Sequence, residues 1–212
     1  AAGATVLWGR CLRFGAASSP YLPFVSALQR WLAEGHDTAE LDLEQLGSPD
    51  GAAEVPGRAL HLIDRSLGRL AAGSPVVLVV DDLQWADVSS LDALAYLIAA
   101  AVPRRLALLV TYRDEGLSDG HVLHEWLADM VRMPGVTDLP LRPLDREATT
   151  EQLELLLGAP VSSELVEDVW RRSGGNAYLT ELLARDVHPG TDRLPADLPD
   201  ALRTALLARW HS

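Results

Sequence analysis

Two adjacent carboxylates, Asp81 and Asp82, close the run Val76 to Val80, five aliphatic residues with no polar one among them. A run without polar alternation is what a strand covered on both faces of a parallel sheet requires. In open α/β sheets, ligands bind in the crevice outside the carboxyl ends of such strands. Ionised neighbours repel each other and a divalent cation relieves the repulsion, which makes Mg²⁺ the natural third member of the group. An isolated Asp-Asp pair is ordinarily an acidic turn or a helix cap; the buried run in front of this pair turns the reading toward a site.

A second apolar run, LALLVTYRD at 106–114, delivers Thr111, Tyr112 and Arg113 at its carboxyl end. Arg113 there would face the same crevice, where its planar fork suits a phosphate oxygen or a carboxylate. Its structural alternative is an ion pair with Asp81, Asp82 or Asp114. All 18 basic residues are arginine, so the sequence contains no G-x-x-x-x-G-K-[ST] phosphate-binding loop. Other groups carry less. His121, His124 and Glu125 lie close together on a predicted helix, but no distant cysteine or histidine pair completes a ligand set, so they read as a solvated helix start. Cys11, the sole cysteine, is expected to be a small core residue. Trp8, Trp31, Trp85, Trp126, Trp170 and Trp210 are spread along the chain as core and seam residues, with Trp85 placed to wall the crevice.

The elements that must position these groups follow from periodicity. ATVLWGRCL at 4–12 reads as a strand. Ser19 caps a helix with Pro20 at its first position, lined by Phe24, Leu28, Trp31 and Leu32 and stopped by Gly35. The stretch 36–56 has six acidic residues and no basic one, as expected of a solvated loop with a short helix. Leu60, Ile63, Leu67 and Leu70 mark a helix leading into the Val76 run. Asp87 caps a helix carrying Leu91, Leu94 and Ile98, which Pro103 ends. Strand and helix in alternation predict βαβ units and a mainly parallel sheet. From Pro140 onward the pattern is helical: Asp145 to Gly158, Ser162 to Gly174, then a helix opened by Gly175 and Asn176.

The chain has 212 residues and a net charge of −12. That length suits one domain with a smaller appendage, at about 100 to 200 residues per domain. An acidic surface repels phosphate backbones, so nucleic-acid contact by this segment is not expected. No apolar run approaches the roughly 20 residues that span a bilayer, and no signal peptide is recognisable; a cytoplasmic protein is expected. Arginine to the exclusion of lysine, with abundant alanine, hints at a GC-rich bacterial coding sequence.

DDLQWAD with the helix after it, LLVTYRDE, PLRPLDREATTEQL, RRSGGNAYLTELL and LPDALRTALLARW stand in an order that resembles the STAND class of signal-transduction ATPases. The likeness is greatest to the nucleotide-binding region of the large ATP-binding regulators of the LuxR family. It implies an α/β, AAA+-like, three-layer P-loop NTPase core with a parallel sheet over 1–140, a helical lid over 141–190, and a winged-helix or linker segment beginning at 191–212. By the same resemblance VVLVVDD is the Walker B element, and ATP and Mg²⁺ are the cofactors. Asp81 would hold Mg²⁺ through water, Asp82 would orient or activate the attacking water, and Arg113 would sense the terminal phosphate. Gly175, Asn176 and Ala177 would lie against the adenine, with Ala177 standing where the family has proline.

The resembling family also has a strand and a lysine-bearing loop that this sequence lacks, so the first strand and P-loop are expected to be missing from an otherwise ordered core. Such a chain should bind ATP weakly and turn over none. Its 106–111 strand should be left with an open edge that either pairs with a second copy or is filled by 136–144. The other reading is a nucleotide-independent effector-binding or protein-interaction scaffold derived from an ATPase fold.

Overall fold

The computed structural model describes residues 3–12, 20–35, 56–100, 104–113, 117–185, 187–188 and 190–194. The acidic stretch 36–55, Ser19, Pro103, Asp114 and the segment 195–212 lie outside the described residues. The chain divides into two units, Ala1–Asp138 and Leu139–Ser212.

The first unit is α/β. Its described elements are β1 (Thr5–Arg10), α1 (Leu22–Ala33), α2 (Pro56–Gly73), β2 (Val76–Asp81), a 3₁₀ turn (Leu83–Trp85), α3 (Val88–Ala99), β3 (Leu106–Val110) and α4 (Val122–Met130). The strands form one parallel sheet in the order β1-β2-β3, so the Asp81 strand is central. This is the sheet expected of a P-loop NTPase-like fold without its first strand.

Register assigns each side chain to a face. Leu7, Leu78 and Leu108 are aligned across the sheet, and they belong with Val76, Val80, Leu106 and Val110 to the face that packs against the helices. That core takes Phe24 and Leu28 from α1, Ile63 and Leu67 from α2, Leu91 and Leu94 from α3, and Leu123 from α4. Each large side chain buried in this way contributes about 1.5–3 kcal/mol of hydrophobic stabilisation. The opposite face carries Val6, Trp8, Val77, Val79, Ala107 and Leu109. There Val6 is 53 %, Trp8 48 % and Leu109 49 % exposed, while Val79, flanked in the ladder by Trp8 and Leu109, is buried.

Local chemistry explains the element ends. α1 starts at Leu22, two residues later than Pro20, because Tyr21 takes the left-handed conformation (φ 59°) and its carbonyl accepts from the Phe24 and Val25 N–H groups. α1 lies so close to β1 that a Cβ at Gly9 would collide with the Pro23 carbonyl. Asp87 caps α3 through the Ser90 N–H at 2.9 Å, as the sequence predicts.

In the second unit α5 (Arg146–Leu157), α6 (Ser163–Ser173) and α7 (Ala177–Ala184) bury Leu153, Leu165, Val169, Leu179, Leu182 and Leu183 between them. Asp145, Ser162 and Asn176 cap these helices, and Gly158 and Gly174 end the first two in the left-handed conformation. The 136–144 segment, offered as one way to fill the open edge of β3, forms no strand. Pro140 and Pro143 have no N–H to give a ladder, Leu139 and Leu141 are exposed, and the Leu144 N–H donates to the Gly175 carbonyl at 2.7 Å instead of to a strand.

Candidate functional site at the carboxyl end of the sheet

The sheet gathers polar groups at one end. Parallel pairing places Arg10, the last residue of β1, beside Asp81, the last residue of β2. The ladder then continues past the strands proper: the Cys11 N–H donates to the Asp81 carbonyl at 2.9 Å, the Thr111 N–H to the Val80 carbonyl at 3.0 Å, and the Leu83 N–H to the Thr111 carbonyl at 2.8 Å. The three strand ends are therefore held together by backbone before any side chain is considered.

At Asp82 the chain turns out of the sheet through the left-handed region, at φ 60° and ψ 50°. Non-glycine residues adopt this conformation at a cost, and aspartate and asparagine are among the few that do so readily. The turn sends the Asp82 carboxylate to the same side as that of Asp81. The Asp82 N–H is received by the Thr111 hydroxyl oxygen at 3.1 Å, while that hydroxyl donates its own proton to Asp81 Oδ1.

Gln84, itself buried, ties the rest together. Its Nε2 donates to Asp82 Oδ1 at 3.1 Å and its Oε1 accepts from the Arg113 N–H at 3.2 Å. Arg10 completes the cluster: its Nε lies 2.9 Å and its Nη2 2.8 Å from Asp82 Oδ2, with the Nε also 3.8 Å from Asp81 Oδ2. The Asp81 and Asp82 side chains are 26 % and 16 % exposed and Arg10 is 58 % exposed, so the carboxylates line the cluster and the arginine covers it from solvent.

The expected site residues fall into place unevenly. Asp81 and Asp82 are brought together, with Arg10 facing both carboxylates and Thr111 bonded to the Asp81 side chain and the Asp82 N–H. Arg113 is brought to the same end by its backbone, but the pairing with Asp81 and Asp82 is made by Arg10, while Asp114, its third possible partner, lies outside the described residues; among the described residues the Arg113 guanidinium has no hydrogen-bond or ion-pair partner. Trp85 is 42 % exposed beside the Asp82 turn. Sequence reasoning singles out neither Arg10 nor Gln84. The available signal is Gln84's place inside DDLQWAD, and for Arg10 the position closing a strand parallel to β2.

Gly175, Asn176 and Ala177 form the α6–α7 turn of the second unit. Gly175 is buried with φ 76°, and a Cβ there would strike the Leu144 carbonyl. Asn176 Oδ1 accepts from the Leu179 N–H at 3.1 Å, and the Ala177 carbonyl accepts from Gln152 Nε2 at 2.8 Å. Asn176 and Ala177 are exposed. The turn is thus accounted for structurally while two of its residues stay open to solvent.

His121 caps α4 through Nδ1, accepting from the Leu123 N–H at 3.2 Å. Among the described residues no group of three or more histidine, cysteine or acidic side chains is arranged to hold a metal. Two carboxylates remain sufficient for Mg²⁺, which usually keeps several waters and takes one or two protein oxygens together with substrate phosphates. The hard oxygen donors of Asp81 and Asp82 fit that ion.

A model of the AAA ATPase domain matches residues 1–110, which is β1 through β3 with both carboxylates. The chain belongs to the AAA ATPase domain family. No curated protein and no solved structure matches it. The AAA ATPase match ends at the last residue of β3, so Thr111 and Arg113 lie just past it and the second unit lies wholly outside it. No helix among the described residues is long and apolar enough to cross a membrane.

Proposed function

We propose that this chain is the switch segment of an ATP-dependent regulator of the STAND class, of the kind found in bacterial cytoplasmic transcription regulators of the LuxR family. The observation that supports this most is the pair Asp81 and Asp82 at the end of the central strand, braced by Thr111 from the next strand and by Gln84. In this reading β2 is a Walker B strand. Asp81 holds Mg²⁺, Asp82 orients the attacking water, and Arg113 meets the terminal phosphate. The Gly175–Asn176–Ala177 turn is the base-contacting element of the second unit. Bound Mg²⁺ would neutralise phosphate charge as it develops. The chain has no lysine to share that work, and catalysis of phosphoryl transfer is mostly positioning and charge stabilisation.

Calorimetry with ATP and Mg²⁺ tests the reading. The expected result is binding weaker than micromolar, weaker still in Asp81→Asn and Arg113→Gln, with no phosphate release. Binding indifferent to both substitutions would sink it. A nucleotide-independent scaffold that holds an effector or a protein is the second reading, favoured by the apolar sheet face around Trp8 and Leu109. With a net charge of −12, neither reading gives this segment contact with nucleic acid.

A further inference from the structure

We infer that Arg10 is a built-in counter-ion that closes the carboxylate pair, so that a divalent cation enters only by exchange with it. The inference rests on the proposed metal role of Asp81 and Asp82 and concerns what those groups do before any cation arrives.

The cluster divides its four carboxylate oxygens in two. Asp81 Oδ1 is held by the Thr111 hydroxyl and Asp82 Oδ1 by the Gln84 amide, both neutral donors anchored on the protein. The remaining two, Asp81 Oδ2 and Asp82 Oδ2, face Arg10, at 3.8 Å and 2.8 Å from its nearest nitrogens. They are the oxygens free of anchored donors, and a cation would use them. The Nε–H and Nη2–H of Arg10 both point at Asp82 Oδ2, at 2.9 Å and 2.8 Å, and take both of its lone pairs, so a divalent cation reaches that oxygen only by displacing the fork.

The competitor is well suited to leave. Thr111 and Gln84 are bound into the backbone ladder and the 3₁₀ turn, whereas Arg10 hangs from the end of β1 with its side chain 58 % exposed. Rotation about its side-chain torsions carries the guanidinium into water without disturbing the pairing of Arg10 with Asp81 along the backbone. While it stays, it relieves the repulsion between the two aspartates, which lets the crevice hold its shape with no metal present. Asp82 has both oxygens engaged in this closed arrangement, so Oδ2 becomes open to a cation only when Arg10 departs.

Mn²⁺ titration of the whole chain, followed by electron paramagnetic resonance without nucleotide, tests the exchange. Arg10→Gln should bind Mn²⁺ about five-fold more tightly than the wild type, the scale expected on removing a partly exposed ion pair. Arg10→Lys, which keeps the charge but loses the fork, should fall between them. Arg105→Gln removes the same charge at the opposite end of β3 and should leave the affinity unchanged. A second readout needs no substitution: the Arg10 Nε–H resonance should shift to its solvent-exposed position when the wild type is saturated with Mg²⁺. Unchanged or weaker Mn²⁺ binding in Arg10→Gln, with wild-type binding still abolished by Asp81→Asn, would overturn the exchange and leave the metal site standing. Absence of saturable binding in both wild type and Arg10→Gln, or binding indifferent to Asp81→Asn, would overturn the site and the exchange together.

Discussion

Cys11 is held protonated chiefly by its burial, with nearby carboxylates adding to it. It directly follows Arg10, is 2 % exposed, and its thiol is pushed up from 9.0 to about 12, first by burial and then by the negative charges of Asp87, Asp82 and Asp81. The thiolate is the reactive form, so a chromogenic disulfide reagent at pH 8 should leave the folded protein unmodified and label it fully in guanidinium chloride. Rapid labelling under native conditions would contradict the burial. Because the folded state holds the proton more tightly, stability should decline as pH rises above 9.0 toward the folded value. The sequence already placed Cys11 in the core, and it placed Asp81, Asp82 and Arg113 at strand ends from apolar runs alone. Arg10 and Gln84 were not legible. Their roles depend on register and on the backbone turn at Asp82, and neither parallel register nor a left-handed residue leaves a periodic trace.

Among the elements, the helices of the second unit were read closely because their caps are side-chain chemistry: Asp145, Ser162 and Asn176 each accept from a backbone N–H three residues on. The 136–144 segment, one of the two ways offered to fill the open edge of β3, forms no strand, because Pro140 and Pro143 bring no N–H to a ladder. What organises that segment is Gly175, whose carbonyl receives the Leu144 N–H. Trp170 Nε1 donates to the Leu144 carbonyl at 3.0 Å from the other side. Gly175→Ala combines a disfavoured φ with a backbone collision and should cost about 2 kcal/mol or more in chemical unfolding; a loss below about 0.5 kcal/mol would mean that the turn relaxes freely.

Asp168 is an acid-sensitive group of the second unit. Burial raises its pKa, but the charge of Arg172, the Leu194 N–H and hydrogen bonds from Arg172 and Arg171 outweigh this and leave it below 3.8. A depressed folded pKa gives stability that is complete above the unfolded value and disappears as pH falls through the folded one. Asp168→Asn should therefore lower Tm at pH 7, and the gap from wild type should narrow below about pH 4. A gap independent of pH would assign the loss to packing.

Among the described residues, the first unit is a parallel sheet with helices packed on one face and an apolar surface on the other, and β3 is paired on one side only. The run Val76 to Val80 correctly signalled a central strand, since β2 lies between β1 and β3. We expect concentration-dependent self-association through the 106–111 edge, visible in light scattering. Leu109→Lys, on the open face, should suppress it with the fold intact. Leu108→Lys serves as a contrast: Leu108 packs toward the core, so this substitution should unfold the unit rather than block association. Scattering that is monomeric at every concentration would remove self-association as the fate of this edge.

The left-handed turn at Asp82 also bears on how substitutions there are read. The position makes two separate demands, one for a carboxylate and one for a residue content at φ 60°. In a library selected only for folding, asparagine and glycine should survive beside aspartate, while valine and isoleucine should be purged. Residue preference at position 82 therefore mixes handedness with chemistry, and alanine is a poor knockout because it removes the charge and strains the chain at once. Asparagine isolates the charge, and comparing it with glycine isolates the side chain's reach.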